Sequence, residues 1–252
     1  MTDLEPSAAA PRFAVQVLGP FCVSRDGEDL APSGWPRRAQ TLLKLLVTAD
    51  QGRRLRAEIV DLLWPEAGPD AAASNMRYVL HALRRDLGGG DPPPIASDRE
   101  WVSLSSHYAW DVDLHLFETL AGQADGGVDV MEEAMTLYRG EPLVEDRYED
   151  WAMPIREQVE RTWRTLALRL SREYRRRGVP RETVRWAERL LERDPLDEEA
   201  VQELLPALEA TGRRPDAVRR YRELEQRLAD ELGVAPSDET RALASRLVGP
   251  SQ

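Results

Sequence analysis

The segment from Asn75 to Leu87 constrains the fold more strongly than any other part of the chain. Its apolar residues recur at intervals of four, three and four: Met76, Leu80, Leu83 and Leu87. This spacing predicts an amphipathic α-helix with one buried face. Three consecutive glycines at 88–90 end the helix, and the residues at 95–105 carry a hairpin pattern with a turn at 98–100. A helix that leads into a hairpin restricts the fold to a few small domains.

Two short strands and two helices are predicted before this segment. Residues 13–17 alternate weakly, and a second strand at 21–23 follows a Gly-Pro break. Helical spacing starts at Pro36, and a second, shorter helix ends at Trp64. The order of two strands, three helices and a hairpin is typical of a winged helix-turn-helix. We therefore expect such a DNA-binding domain over 12–106.

The remainder of the chain has helical spacing. Apolar periodicity predicts seven helices, at 113–123, 129–138, 154–177, 180–193, 197–211, 215–232 and 237–248. A shift of 34 residues superimposes Gly178 on Gly212, and 34 is the tetratricopeptide period. The predicted fold class is mainly α with a small β component: a winged helix-turn-helix followed by an all-α tetratricopeptide-like domain at 107–248. Residues 1–11 are expected to be a disordered tail, and 249–252 a second tail.

Composition excludes several classes of protein. A single cysteine, Cys22, excludes an internal disulfide and any multi-cysteine metal site. Charged residues interrupt every apolar run before the roughly 18 residues of a membrane span. The N-terminus lacks a secretory signal pattern, so we expect a cytoplasmic protein. The net charge of −11 argues against nucleic acid for the whole chain, but residues 37–85 carry nine basic and five acidic side chains, and DNA responds to a local basic face.

The third helix carries the candidate base-reading residues. Its uncovered face and flanks present Arg77, Tyr78, His81, Arg84 and Arg85, with the small Ala82 between them. A helix fits the major groove, where an arginine can hold a guanine through two hydrogen bonds. The alternative is the solvated face of an ordinary amphipathic helix. The position of this helix before a glycine break and a hairpin favours DNA contact.

Candidate phosphate contacts flank this helix. Arg53, Arg54 and Arg56 fall at the predicted start of the second helix, where cations and free N–H groups suit phosphate. Ser74, the predicted N-cap of the third helix, and Asn75 are further candidates. In the hairpin turn, Ser97 and Arg99 form the predicted wing, which would enter a minor groove or meet phosphate. The alternatives are a solubilising cluster at 53–56 and a plain surface charge in the turn.

Catalytic chemistry finds no support in the sequence. Phosphate-binding glycine loops, zinc-protease and serine-hydrolase motifs are absent. The acidic cluster between Glu141 and Asp150 has no histidine nearby, so we expect a solvated loop rather than a metal site. We predict no enzyme activity, no cofactor and no metal.

Several stretches in order resemble one protein family. They are 13–20, 36–46, 59–65 and 75–87, followed by 137–140, Trp151, Arg156 and the two helical repeats. Together they resemble the Streptomyces antibiotic regulatory protein (SARP) family over about 13–248. The resemblance implies an OmpR-type winged helix and a bacterial transcriptional activator domain. It also implies a promoter-binding activator whose third helix reads bases in direct repeats and which recruits RNA polymerase. The ATPase and sensor domains of larger members are not seen, which indicates a small member or a fragment of a large one.

Direct repeats would set the geometry of assembly. Two winged helices on a direct repeat must pack head to tail rather than about a two-fold axis. The expected partners are therefore double-stranded promoter DNA, RNA polymerase holoenzyme and a second protomer, without a membrane. The alternative function is a protein-interaction adaptor with tetratricopeptide-like repeats whose winged helix does not bind DNA.

Overall fold

The computed structural model describes residues 10–248, and the chain forms two compact units. The first unit comprises the residues up to Thr119 together with Thr136–Val159, and the second comprises Leu120–Met135 and the residues from Glu160 onward. The tails predicted at 1–11 and 249–252 lie outside the described residues, apart from residues 10 and 11.

The order of elements confirms the predicted fold class. The strands are β1 (Arg12–Gln16), β2 (Cys22–Arg25), β3 (Glu28–Asp29), β4 (Arg53–Leu55), β5 (Ile95–Ser97), β6 (Trp101–Leu104) and β7 (Ala109–Val112). The helices are α1 (Arg37–Val47), α2 (Arg56–Leu63), α3 (Pro69–Asp86), α4 (Asp113–Gly122), α5 (Val128–Leu137), α6 (Met153–Arg176), α7 (Pro180–Leu191), α8 (Glu198–Ala210), α9 (Arg214–Arg227) and α10 (Asp238–Val248). A π-helical turn at Leu228–Leu232 continues α9. Within 10–248, no helix combines the length and apolar character needed to cross a bilayer.

The N-terminal sheet has the order β3-β2-β1-β7, and β7 runs parallel to β1. Phe13 is buried on one face and stacks on Trp110 of β7, with ring centroids 4.5 Å apart. The strand β7 was not predicted, because its sequence lacks a clear alternation of apolar and polar residues. The pairing of β7 with β1 extends the N-terminal sheet past residue 106. The domain limits 12–106 and 107–248 remain a prediction.

A second sheet, β4-β6-β5, lies beside the three helices of the winged helix-turn-helix. The predicted hairpin is confirmed, since β5 and β6 pair antiparallel with Ile95 opposite Leu104. Helix α1 packs against α3. The core residues between these elements are fully or almost fully buried, and they include Leu42, Leu46, Ile59, Leu63, Met76 and Leu83.

The chain at Val17 and Leu18 connects three parts of the first unit. Their N–H groups donate to the carboxylate of Asp113, over 2.9 and 3.0 Å. Their carbonyl oxygens accept from the N–H groups of Leu143 and Arg139, at 2.8 and 2.9 Å. Burial raises the pKa of Asp113, and the backbone N–H groups oppose that shift. These bonds hold the 136–159 segment to the sheet.

The acidic cluster at 141–150 corrects the sequence prediction of a solvated loop. Asp146 is buried and pairs with the equally buried Lys44 of α1, each side chain being 2% exposed. Glu145 lies 3.4 Å from the same ammonium group and accepts from the N–H of Phe21 at 2.8 Å. The Lys44 nitrogen also lies 4.8 Å from the Phe21 ring centroid. A buried ammonium group requires such partners, because unpaired burial of a charge is strongly unfavourable.

Two helix ends in the second unit have the same turn at a distance of 34 residues. Gly178 follows α6 and Gly212 follows α8, and both glycines lie in the left-handed region, with φ of +69° and +76°. The N–H of Gly178 donates to Arg175 at 3.1 Å, and that of Gly212 donates to Glu209 at 2.9 Å. Donor and acceptor are thus both displaced by 34 residues. Glycine adopts this φ without steric penalty, so both helix ends use the same turn.

Helices α7 to α10 enclose the core of the second unit. Its fully buried members include Ala187, Leu204, Leu205 and Ala217. Asp197 caps α8 by accepting from the N–H of Ala200 at 3.1 Å.

The Lys44–Asp146 pair yields a stability prediction. Asp146→Asn removes the buried carboxylate that pairs with Lys44 and leaves the more exposed Glu145 as its remaining carboxylate, so we expect the free energy of unfolding to fall by up to about 3–5 kcal/mol. Denaturant unfolding measures the loss.

The matched control is Glu149→Gln, which removes the exposed ion pair with Arg37 at 3.6 Å. We expect this change to lower stability by no more than about 1 kcal/mol. Equal losses for the two variants would contradict a special role for the buried pair.

Candidate nucleic-acid interface

Helix α3 begins earlier than the sequence predicted. Pro69 occupies its first turn and Gly68 is its N-cap, so the prediction of Ser74 as N-cap is wrong. Proline suits the first turn because its missing N–H would have no helical partner there. The alanines at 71–73 then extend the helix, since alanine has the highest helix propensity. Ser74 and Asn75 are exposed within the helix.

The exposed face of α3 holds most of the predicted base-reading residues. Arg77, Tyr78, His81 and Arg85 are exposed, and Tyr78 is 65% exposed despite its aromatic ring. They share a face because residues three and four apart lie above one another on a helix. Ala82 is 2% exposed, so the prediction that it lies on this face is wrong. The buried stripe is wider than predicted, as Val79 and Ala82 belong to it as well.

Arg84 connects α3 to the hairpin. Its Nε donates to the carbonyl oxygen of Ile95 at 2.8 Å, and its Nη2 donates to the Ser97 hydroxyl at 3.0 Å. The two predicted site residues Arg84 and Ser97 therefore bind each other. Burial lowers the pKa of Arg84, and the charge of Arg56 lowers it further. The guanidinium groups of Arg56 and Arg84 therefore lie close enough to repel each other.

The wing is a closed turn between β5 and β6. Asp98 accepts from the N–H groups of Trp101 and Glu100, at 2.7 and 2.8 Å. These backbone hydrogen bonds lower the pKa of Asp98. Arg99 is exposed between them. Sequence reasoning missed the role of Asp98, although an aspartate that bonds backbone two or three residues ahead is a frequent turn device.

The basic cluster at 53–56 lies mostly in a strand. Arg53 and Arg54 belong to β4, which pairs with β6, so their predicted place at a helix start is wrong. Only Arg56 begins α2, and its N–H donates to the carbonyl oxygen of Glu100 at 2.8 Å. Arg53 lies 4.7 Å from the ring centroid of Trp101. The Nε of Arg54 donates to the Leu45 carbonyl oxygen at 2.9 Å.

The arginines of β4, α2, α3 and the wing differ from those of the second unit in their ion pairing. Among the residues that the structure describes, six arginines here form no ion pair with a carboxylate: Arg53, Arg54, Arg56, Arg77, Arg84 and Arg99. We call them the unpaired arginines. Arg85 differs, because it pairs with Asp86 at 2.7 Å. In the second unit, Arg164, Arg172 and Arg175 of α6 all contact carboxylates. The positive charge around α3 and the wing is thus not neutralised within the unit.

Metal ligation has no basis in residues 10–248. No group of three or more histidine, cysteine, aspartate or glutamate side chains in that range could hold a metal ion. The chemistry available at the site is therefore that of guanidinium, imidazole, phenol and hydroxyl groups, which bind phosphates and base edges.

Residues 112–248 match the family described as the bacterial transcriptional activator domain. The chain belongs to this family. Regulatory protein AfsR of Streptomyces coelicolor is 31% identical over 97% of the chain, and AfsR of Streptomyces griseus is 28% identical over 98%. The transcriptional regulatory protein EmbR of Mycobacterium tuberculosis is 24% identical over 94% of the chain. These similarities confirm the resemblance to the SARP family of transcriptional regulators.

One solved structure has a similar fold. It is EmbR of Mycobacterium tuberculosis in complex with a low affinity phosphopeptide, with a TM-score of 0.73 and 23% identity, covering 95% of this chain and 65% of that one. This likeness supports a winged helix followed by an all-helical domain. The chain spans a quarter of the length of the AfsR proteins and 63% of EmbR.

The Arg84 contacts yield a prediction about the wing. Arg84→Met removes both hydrogen bonds to β5, so we expect faster amide hydrogen exchange across residues 95–101, measured by mass spectrometry. Arg77→Met is the matched control, since it removes the same charge from the same helix without a contact to β5. Unchanged exchange in the Arg84 variant would show that the wing is held by strand pairing alone.

Proposed function

We propose that the chain is a sequence-specific DNA-binding transcriptional activator. The observation that carries this proposal is the group of unpaired arginines, which surround an exposed helix face and a hairpin turn in a chain of net charge −11. Protein side chains elsewhere neutralise most arginines, whereas these are left for an external anion. A duplex supplies phosphates at this scale. The names of the relatives, which are regulatory and transcriptional regulatory proteins, support the same function.

In this proposal α3 enters the major groove and its exposed face reads bases. Arg77, Tyr78, His81 and Arg85 face the groove, and an arginine there can bind guanine O6 and N7 together. To contact a base, Arg85 would exchange its partner Asp86, whose side chain is 10% exposed, for the base. Arg84 contributes in a different way, because its bonds to Ile95 and Ser97 fix the wing relative to the helix.

Phosphate contacts fix the register of α3 on the duplex. Arg56 and Arg84 repel each other in the free protein, and a phosphate between them would relieve that repulsion. Arg53 and Arg54 extend the basic surface along β4, and Ser74 and Asn75 offer polar groups on α3 itself. At the tip of the wing Arg99 would reach the minor groove or a phosphate, beside Ser97.

The partners of the proposed activator are promoter DNA, RNA polymerase holoenzyme and a second protomer. Binding to direct repeats requires head-to-tail packing of two winged helices, since a two-fold arrangement would face an inverted repeat. We assign DNA contact to 12–106 and protein contact to 107–248. The charge pairing of the helical unit supports this division, because paired arginines attract phosphate weakly. Cooperative pairing would raise the affinity beyond that of one winged helix.

Selection of bound duplexes from a random pool tests the proposal directly. We expect an enriched motif that occurs as a direct repeat, confirmed by gel shift on the selected sequence and on a scrambled one. Failure to enrich any motif, together with no gel shift at low salt, would overturn DNA binding and leave the adaptor function.

Substitution of Arg85 by alanine tests base reading. If Arg85 holds a base, Arg85→Ala should weaken binding to the selected sequence by about 1–3 kcal/mol and relax specificity at one position. Arg222→Ala is the control, because Arg222 is exposed on α9 in the other unit. An unchanged gel shift for Arg85→Ala would remove the residue from the reading face.

Neutralisation of Arg53 and Arg56 tests the phosphate role. The double variant with glutamine at both positions should weaken binding to all sequences alike. It should also reduce the slope of log affinity against log salt by up to about 2, since each phosphate contact contributes roughly 0.9. A loss confined to the selected sequence would contradict phosphate contact.

A further inference from the structure

Three arginines lie along α7 and the turn that follows it, with Arg185 and Arg189 on the helix and Arg193 in the turn. Their spacing of four places Arg185 and Arg189 above one another on the helix, and the charges of both Arg185 and Arg193 act on Arg189. Like charges at this spacing repel, so a folded helix that carries them needs counter-charges. We call these three residues the arginine ladder.

The two ends of the ladder have their own carboxylates. Arg185 pairs with Glu132 and Glu182, each at 2.9 Å, and Arg193 pairs with Glu160 at 2.5 Å. The pairs hold the outer guanidinium groups in place. They also show that this face binds glutamate side chains with ordinary ion-pair geometry.

The middle residue, Arg189, has aromatic neighbours instead. Its guanidinium carbon lies 4.7 Å from the ring centroid of Trp186 and 5.8 Å from that of Trp163. Both indoles are buried. In residues 10–248 Arg189 has neither an ion pair nor a hydrogen bond to a side chain. The pKa of Arg189 is lowered, mainly by burial and then by the charges of Arg185 and Arg193. The charge of Glu192 raises it by a smaller amount.

The aromatic contacts leave the hydrogen-bonding capacity of Arg189 unused. A guanidinium meets aromatic rings through its charge and its flat face, whereas its five N–H donors lie at its edge. Two rings restrict the side chain, so little rotamer entropy remains to be lost when an acceptor arrives. The half-buried site strengthens the attraction to an anion relative to open water.

We propose that the arginine ladder is a docking site for a carboxylate-rich segment of a partner protein, with Arg189 as its central contact. Glutamate side chains already occupy both ends of the ladder, so a further carboxylate has the matching chemistry. A DNA duplex is a poorer occupant, because the second unit carries 22 acidic and 19 basic side chains, and this net negative charge repels phosphates. The proposal does not depend on the DNA-binding function proposed above.

Fluorescence anisotropy with the full chain tests the docking site. The ligand is a fluorescein-labelled oligoglutamate peptide, and an oligoglutamine peptide of the same length is the control. We expect binding of oligoglutamate only. Arg189→Glu should weaken it by about tenfold or more, since a charge-assisted bidentate contact becomes a repulsion.

The matched variant is Arg222→Glu, which makes the same charge change at an exposed position of α9 in the same unit. We expect it to change peptide affinity by less than about twofold, because exposed charges away from a contact are strongly screened. Equal losses for the two variants would show a general charge effect and overturn the proposal. A loss of duplex binding in Arg189→Glu with peptide binding unchanged would also overturn it, and would assign the ladder to DNA.

Folding of the variants is checked by circular dichroism. If Arg189→Glu unfolds, Arg189→Gln provides the same comparison without a reversed charge. Peptide titration of the unaltered protein gives a second readout, in which the indole N–H signals of Trp163 and Trp186 should shift in the NMR spectrum. Absence of both peptide binding and indole shifts would overturn the docking site.

Discussion

The ion pair between Lys44 and Asp146 is the interaction on which the first unit depends. It joins α1 of the winged helix to a turn that lies 102 residues further along the chain. Both groups are buried, and each would be strongly destabilising as a buried charge without the other. Beside this pair, hydrogen bonds at Val17, Leu18 and Phe21 hold the 136–159 segment to the chain between β1 and β2. The winged helix is thus completed by residues that follow it in sequence.

Charge in this chain has to be understood by pairing rather than by total. The overall charge is negative, yet the surface around α3 and the wing keeps its arginines without carboxylate partners. Most arginines of the helical unit sit in ion pairs. The surface around α3 and the wing is therefore basic, whereas most arginines of the helical unit are neutralised by carboxylates. One exception in the helical unit is Arg189, which contacts the rings of Trp163 and Trp186.

Local patterns in the sequence predicted much of the fold. The helices after residue 111 were placed within a few residues, because their apolar spacing is regular and glycines end them. The hairpin at 95–104 was also predicted correctly from its turn residues. The predicted start of α3 was several residues too late. Ser74 has the chemistry of an N-cap, whereas the true start at Gly68 and Pro69 gives a weaker sequence signal. The same holds for the candidate site, because the apolar periodicity of α3 predicted the exposure of most of its site residues.

Features that depend on distant partners escaped prediction. The strands β4 and β7 exist because β6 and β1 pair with them, and neither has a strand pattern of its own. The burial of Asp146 depends on a lysine far away in sequence, which no local signal reveals. The bonds from Arg84 to the hairpin are equally non-local.

The parallel pairing of β1 with β7 carries a consequence for any shortened form of the protein. A fragment that stops at residue 106 would strip β1 of its outer neighbour, leaving a row of unsatisfied amide and carbonyl groups at the rim of the sheet. Such a rim invites self-association through strand addition. A shortened form therefore has to keep residues 109–112 if β1 is to retain its parallel neighbour.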